Sequence, residues 1–179
     1  MTGAFSVDRN LMVRLGELGI TEEDIRACKL PAYGQSGNLV QAEDDMFGGT
    51  QYMTPATFAS WQNLKQAAQD EGITLILVSA FRSIDYQCEL IAAKLERGQK
   101  LSDILSVNAI PGFSEHHTGR ALDINTPDCE PLSEAFEETP AFMWLEANAS
   151  RYEFGLSFPR DNDIGISYEP WHWAFQSLD

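Results

Sequence analysis

The chain has 179 residues, a mass of 20.0 kDa and a formal charge of −15, from 12 Lys and Arg against 27 Asp and Glu. Apolar residues make up 44% and charged residues 22%, which excludes a disordered tail, a collagen-like fibre and a disulfide miniprotein and suits one globular domain. A chain this acidic, with no cluster of Lys or Arg, repels nucleic acid and anionic membrane surfaces, so neither is expected as a partner.

Residues 8–18 have helical spacing, with Leu11, Leu15 and Leu18 on one face and Gly19 as the stop. Thr21 caps a short second helix, and Ile20 and Ile25 have the spacing of a hydrophobic staple. Residues 29–52, with Pro31, Gly34, Gly37, Gly48 and Gly49, read as irregular loop. Thr54-Pro55 starts a helix that buries Phe58, Trp61, Leu64 and Ala68 and ends at Gly72. Ile73 to Phe81 is apolar on both faces and is expected in the centre of a sheet. Ser83 caps a helix striped by Ile84, Cys88, Ile91 and Leu95, and Gly98 ends it. A short helix near 102–108, a turn at Pro111-Gly112, a strand from Arg120 to Asn125, a helix from Thr139-Pro140 to about Tyr152 and a final strand from Ile166 to Phe175 complete the chain. Helices and strands mixed without regular alternation indicate an α+β fold.

No apolar run approaches the roughly 18–20 residues of a membrane helix. The first ten residues show no basic start followed by an apolar core. Cys28, Cys88 and Cys129 are odd in number, widely spaced and free of any CxxC. Reduced thiols and a cytoplasmic location are the expectation, with a periplasmic protein whose leader has been removed as the alternative.

All three histidines fall in two short segments, Ser114-Glu-His-His-Thr-Gly-Arg-Ala-Leu-Asp123 and Tyr168-Glu-Pro-Trp-His-Trp173, each containing carboxylates. His116, Asp123 and His172 are the expected metal ligands. Two imidazole nitrogens and one carboxylate suit Zn²⁺, and three protein ligands leave the fourth position of a catalytic site for water. Gly119 lets the backbone turn tightly between the first two. Glu169 is the expected general base. Residues three apart in a regular strand face opposite ways, so Glu169 and His172 can meet only if the chain bends between them, and Pro170 supplies the break. Arg82, at the end of a buried strand, is placed to fork onto a carboxylate or oxyanion. Gln87, one turn beyond Ser83, and Ser114 are expected to bind substrate. His117 reads as a neighbour of the site, since adjacent residues rarely aim at one ion. Trp171 and Trp173 read as core or cleft wall, Cys88 as a small hydrophobe and Cys129 as no ligand.

Ser114-x-His116-x-x-Gly119-x-Ala121-x-Asp123 followed by Glu169-x-x-His172 resembles the signature of the VanY-type D-alanyl-D-alanine carboxypeptidases, zinc peptidases of the hedgehog/DD-peptidase fold. Ser79-Ala-Phe-Arg-Ser83 with Gln87, Asn148-Ala-Ser-Arg-Tyr-Glu-Phe-Gly155 and Ser157-Phe-Pro-Arg160 resemble the same family. The likeness covers about residues 54–175 and leaves the first 50 outside. It implies an α+β fold whose central antiparallel sheet, flanked by helices, carries the ligands. It implies one zinc ion on His116, Asp123 and His172, Glu169 as base, and Arg82 on the tetrahedral intermediate or the substrate's terminal carboxylate. The expected organisation is a single peptidase domain over 1–179, with 1–53 a helical and loop extension packed on it. The implied activity is removal of the C-terminal D-alanine of peptidoglycan stem peptides or muropeptides, at a D-Ala-D-Ala or diamino acid–D-Ala bond. The alternatives are a D-Ala-D-Ala dipeptidase, an L-Ala-D-Glu endopeptidase, or a zinc-stabilised binding module without turnover. The chain departs from the common pattern at His117, where many members have Gln, at Phe81, where many have Tyr, and at Glu153, where Gly is usual.

Overall fold

The computed structural model describes residues 7–177; residues 1–6, part of the stretch read for a leader, and 178–179 lie outside it. Helix α1 (Arg9–Glu17) starts at Asp8, whose carboxylate accepts from the Leu11 amide, and buries Leu11 and Leu15. Helix α2 (Glu22–Ala27) carries a full capping box between Thr21 and Asp24. Helix α3 (Pro55–Asp70) is capped by Thr54 and buries Trp61, Leu64 and Ala68. Helix α4 (Ile84–Glu96) is capped by Ser83, and the short α5 (Leu101–Leu105) follows it. Helix α6 (Pro140–Asn148) stops earlier than its sequence suggests and continues as a 3₁₀ turn, Ala149–Tyr152, ended by Glu153 in the left-handed region at φ 61°. No helix among the described residues is long and apolar enough to cross a membrane.

The stretch 29–52, expected as irregular loop, holds an antiparallel hairpin, β1 (Val40–Asp44) with β2 (Thr50–Met53). Its turn is closed by one side chain: Asp45 Oδ1 accepts from the Phe47 and Gly49 amides at 2.8 and 3.0 Å, with Gly48 at φ 85°. The main sheet has four antiparallel strands in the order β3 (Ile76–Ser79), β4 (Ala121–Asn125), β6 (His172–Phe175) and β5 (Phe154–Leu156). The strand expected at its centre, β3, is therefore at its edge. The hairpin covers that edge, with the Met46 amide donating to Leu77 O at 2.9 Å and the Phe81 amide to Tyr52 O at 3.0 Å, so β3 is shielded without a second strand neighbour. The final strand is also shorter than expected. The chain reaches it through a turn in which the His172 amide donates to Glu169 O at 3.1 Å.

Two apolar clusters hold these layers. The larger packs α3 and α6 on one face of the sheet, joining Trp61, Leu64, Phe142 and Leu145 to Leu122, Ile124, Trp173 and Phe175. The smaller packs Leu11, Leu15, Ile20 and Leu30 of the N-terminal region against Cys88, Ile110, Phe113 and Phe158. Cys88 is thus a core hydrophobe, and the three cysteines are unpaired. Gly119, at φ 68°, is needed for closeness as well as for its backbone conformation: a Cβ there would stand 2.6 Å from Leu39 Cδ2 and 3.3 Å from the Thr54 nitrogen. Gly119→Ala is expected to cost at least about 1–2 kcal/mol, the left-handed penalty alone, whereas Glu153→Gly relieves the same penalty and gains up to about 1 kcal/mol after the glycine's unfolded-state entropy. Urea unfolding of the two variants beside the parent chain checks both signs.

Candidate metal centre

Strand periodicity decides which face the site occupies. Leu122 and Ile124 of β4 and Trp173 and Phe175 of β6 point into the larger core, so Asp123 and His172 point to the opposite face. Asp123 and His172 are direct cross-strand partners, which brings them together through register alone. His116 arrives from the 3₁₀ turn Glu115–Thr118, just before β4. One donor atom from each of the three lies within 4.8 Å of the others, and all three residues are buried.

The imidazoles are oriented from behind. His116 Nδ1 is 2.6 Å from Ala80 O, which can only accept, so Nδ1 carries the hydrogen and Nε2 faces Asp123 Oδ2 at 3.3 Å. His172 reverses the arrangement: Nε2 is 2.8 Å from Glu115 Oε2, and Nδ1 faces Asp123 Oδ1 at 3.2 Å. Asp123 Oδ1 is fully buried and has no hydrogen-bond partner. Burial opposes the charge on Asp123, but His116 and His172 hold its carboxyl far below the usual range. Burial likewise opposes charge on His172, yet Asp123 and Glu115 push it up to about 10. Burial pushes His116 down, so it is neutral near pH 7. His116 Nε2, His172 Nδ1 once its proton is displaced, and the Asp123 carboxylate converge where a divalent cation fits, and a nitrogen and oxygen donor set of this kind suits zinc.

Glu169 is 7% exposed, with Oε2 3.7 Å from His172 Nδ1. The turn Glu169-Pro170-Trp171-His172, with proline at its second position, is the bend that the strand geometry required. Burial, reinforced by Asp123, pushes the Glu169 carboxyl up to about 7 against the opposing pull of His172. Arg82 Nη2 lies 3.6 Å from Asp123 Oδ2, and its backbone amide donates to His116 O at 3.1 Å. Gln87 departs from its expected role at substrate. It is fully buried, accepting from Arg82 Nη1 at 2.9 Å and donating to Ala109 O at 2.8 Å, so both ends of its amide are spent on holding Arg82. Ser114 lines the cleft and caps the 3₁₀ turn, its Oγ accepting from the His116 amide at 3.4 Å. His117 is a neighbour: Gly112 donates to its Nε2 at 3.1 Å, its Nδ1 donates to Arg82 O at 2.7 Å, and burial pushes it down to about 4. Trp171 walls the cleft and Trp173 lies in the core.

The site opens into a cleft of about 430 Å³. Two charged residues of its lining escaped the sequence reading. Glu115 sits inside the histidine motif, and its adjacency to His116 was the available signal. Lys94 lies one helical turn beyond Leu90, at a spacing from Gln87 that puts all three on one face of α4. That face is legible once the chain's path past Arg82 is known.

The family model for VanY, D-alanyl-D-alanine carboxypeptidase, matches residues 50–178. YodJ of Bacillus subtilis, named as a putative carboxypeptidase, is 36% identical over 116 residues, 61% of this chain and 41% of that protein. Among solved structures, the LdcB LD-carboxypeptidase, whose structure concerns peptidoglycan recognition, superposes with a TM-score of 0.71 at 28% identity, covering 81% of this chain and 71% of the other. A mutant of the D,D-pentapeptidase VanY from a VanB-type resistance cassette, in complex with Zn(II), gives 0.62 at 26% identity, covering 83% of each chain. The chain spans less than half the length of the first curated relatives it matches. The site described above, with Ser114, His116 and Asp123 on one motif and Glu169 and His172 on the other, falls wholly within the matched segment, and the chain belongs to the VanY family of D-alanyl-D-alanine carboxypeptidases on the hedgehog/DD-peptidase fold.

Proposed function

We propose that this chain is a zinc-dependent carboxypeptidase that removes the C-terminal D-alanine of peptidoglycan stem peptides, with His116, Asp123 and His172 as the ligands of one zinc ion. The observation that carries the reading is the meeting of one donor atom each from His116, Asp123 and His172 within 4.8 Å, all three buried, beside a buried carboxyl and a guanidinium. A purely structural ion needs neither Glu169 nor Arg82, which disfavours a binding module without turnover. The Zn(II) complex of VanY and the peptidoglycan recognition of LdcB support the choice of metal and substrate class.

Zinc, when bound, lowers the pKa of a water to about 7 and polarises a substrate carbonyl. Glu169 takes the proton from the attacking water and delivers it to the departing amine nitrogen, and its burial keeps it a stronger base than a solvated carboxylate. Arg82, fixed by Gln87 and Ser79, faces the negative charge that develops on the carbonyl oxygen. Lys94 supplies the cleft with a second cation, suited to the free carboxylate that marks a chain end. Ser114 shapes the loop and lines the peptide's path.

Three outcomes check this reading. Synthetic pentapeptide and tetrapeptide stems incubated with the zinc-loaded protein should release D-alanine, whereas release of D-Ala-D-Ala or cleavage at L-Ala-D-Glu would assign the chain to the dipeptidase or endopeptidase branch. Glu169→Gln should lower kcat by about 10²–10⁴-fold with zinc content unchanged, and an unaltered kcat would overturn the mechanism. Zinc binding should also release protons. In the metal-free protein at pH 7, His172 is charged because its pKa is about 10, Glu169 is partly protonated at about 7, and His116 is already neutral. Titration calorimetry in buffers of differing ionisation enthalpy should therefore read between about one and two protons expelled per ion at pH 7. Affinity should weaken as pH falls, since protons compete for the same lone pairs.

A further inference from the structure

The family match begins at residue 50, yet a stretch before it lies directly over the metal-site loop. The Tyr33 amide donates to Gly112 O at 2.7 Å and the Ser36 amide to His117 O at 2.9 Å. Gln35 Oε1 accepts from the Ile84 amide at 2.9 Å, which ties the same stretch to the start of α4. Leu39 presses on Gly119, whose missing side chain makes room for it. The loop that carries Glu115 and His116 is thus held by main-chain hydrogen bonds at residues 112 and 117. Inside it, Tyr33 Oη donates to Glu115 Oε1 at 3.5 Å, and Glu115 Oε2 meets His172 Nε2 at 2.8 Å. The Glu115 side chain is 19% exposed and that of His172 4%, so water does not compete strongly for this second contact.

We propose that residues 33–39 are a strap belonging to the metal centre, and that Glu115 is the positioning residue through which it acts. Glu115 accepts the Nε2 hydrogen of His172, so that when the ring gives up its other proton to a metal it is Nδ1, facing Asp123, that is left with the lone pair. Its negative charge raises the basicity of the ring as a ligand. Tyr33 fixes the rotation of the Glu115 carboxylate. The N-terminal region thereby sets the quality of a ligand far along the chain. Loss of such a carboxylate partner behind a histidine ligand typically weakens metal binding about 10–100-fold. The inference rests on the zinc reading above and extends it to residues outside the family match.

The test measures the zinc affinity of the full chain by competition with a chromophoric chelator, with circular dichroism and thermal unfolding of the metal-free protein as the control for folding. Glu115→Ala should weaken zinc binding about 10–100-fold, Glu115→Gln about tenfold, because it keeps an acceptor but loses the charge, and Tyr33→Phe about 2–10-fold, the worth of one hydrogen bond. The visible absorption of the cobalt(II)-loaded protein should shift in Glu115→Ala, a change that general loosening of the fold does not produce. If Glu115→Ala fails to fold, the Gln and Tyr33→Phe variants carry the test. Parental zinc affinity in the folded Glu115 variants, or a lowered metal-free melting temperature with unchanged affinity, overturns the proposal. A parent chain that binds no zinc overturns the underlying reading as well, and the two failures are told apart by the parent's own titration.

Discussion

A carboxylate almost closed off from water stands in an inner strand of the sheet, and the architecture around it supplies its counter-charges. Isolated burial of Asp123 would be prohibitive, because a low-dielectric interior cannot solvate an anion. His172 stands opposite it in the β4–β6 register, His116 enters from the adjoining turn, and Arg82 approaches from the end of β3. Even this set leaves Oδ1 without a hydrogen bond. A cation held between the two ring nitrogens would satisfy it. Removing any one partner leaves the others as uncompensated charge, so the site acts as a unit.

Each imidazole is aimed by an acceptor that lies behind it and far away in the chain. For His116 the acceptor is Ala80 O, whose own amide donates to Gln51 Oε1 at 2.9 Å, so the β2 strand of the hairpin reaches the site through one residue. For His172 it is Glu115, which Tyr33 contacts in turn. The hairpin covers the exposed edge of β3 and at the same time braces a histidine. Behind the sheet, α3 and α6 present an apolar surface to Leu122 and Trp173, and this makes the pleat rigid where the ligands project from its other side. The smaller cluster closes the arrangement, since the ring of Phe158, packed among the N-terminal apolar residues, has its centroid 4.7 Å from that of His172.

The elements that were legible are those whose signals are local. Caps at Asp8, Thr21, Thr54, Ser83 and Thr139 each act within three residues, and the helices they start begin where the sequence places them. The hairpin was not legible, because two short strands around a Gly-Gly turn look like loop until the Asp45 carboxylate is seen to close it. Two-sided apolar patterning in Ile73 to Phe81 reported burial correctly but not position, since a strand covered by a hairpin and a strand between two neighbours read alike. Gln87 was expected at substrate and instead holds Arg82, because the direction of its amide depends on Ala109, 22 residues away.

By itself, then, the sequence determined the fold class and singled out the residues that meet at the site: residue types carry the chemistry, and motifs such as His116 to Asp123 and Glu169 to His172 are short enough for spacing to constrain geometry. Tertiary structure alone decided which nitrogen of each ring faces Asp123, what Gln87 touches, that β3 lies at an edge, and that Glu115 and the segment before residue 50 reach the loop of His116. These depend on hydrogen bonds spanning 36 residues for His116 and Ala80 and 57 for His172 and Glu115. Contacts of that range exist only after the chain has folded back on itself, because nothing in the local backbone conformation specifies them.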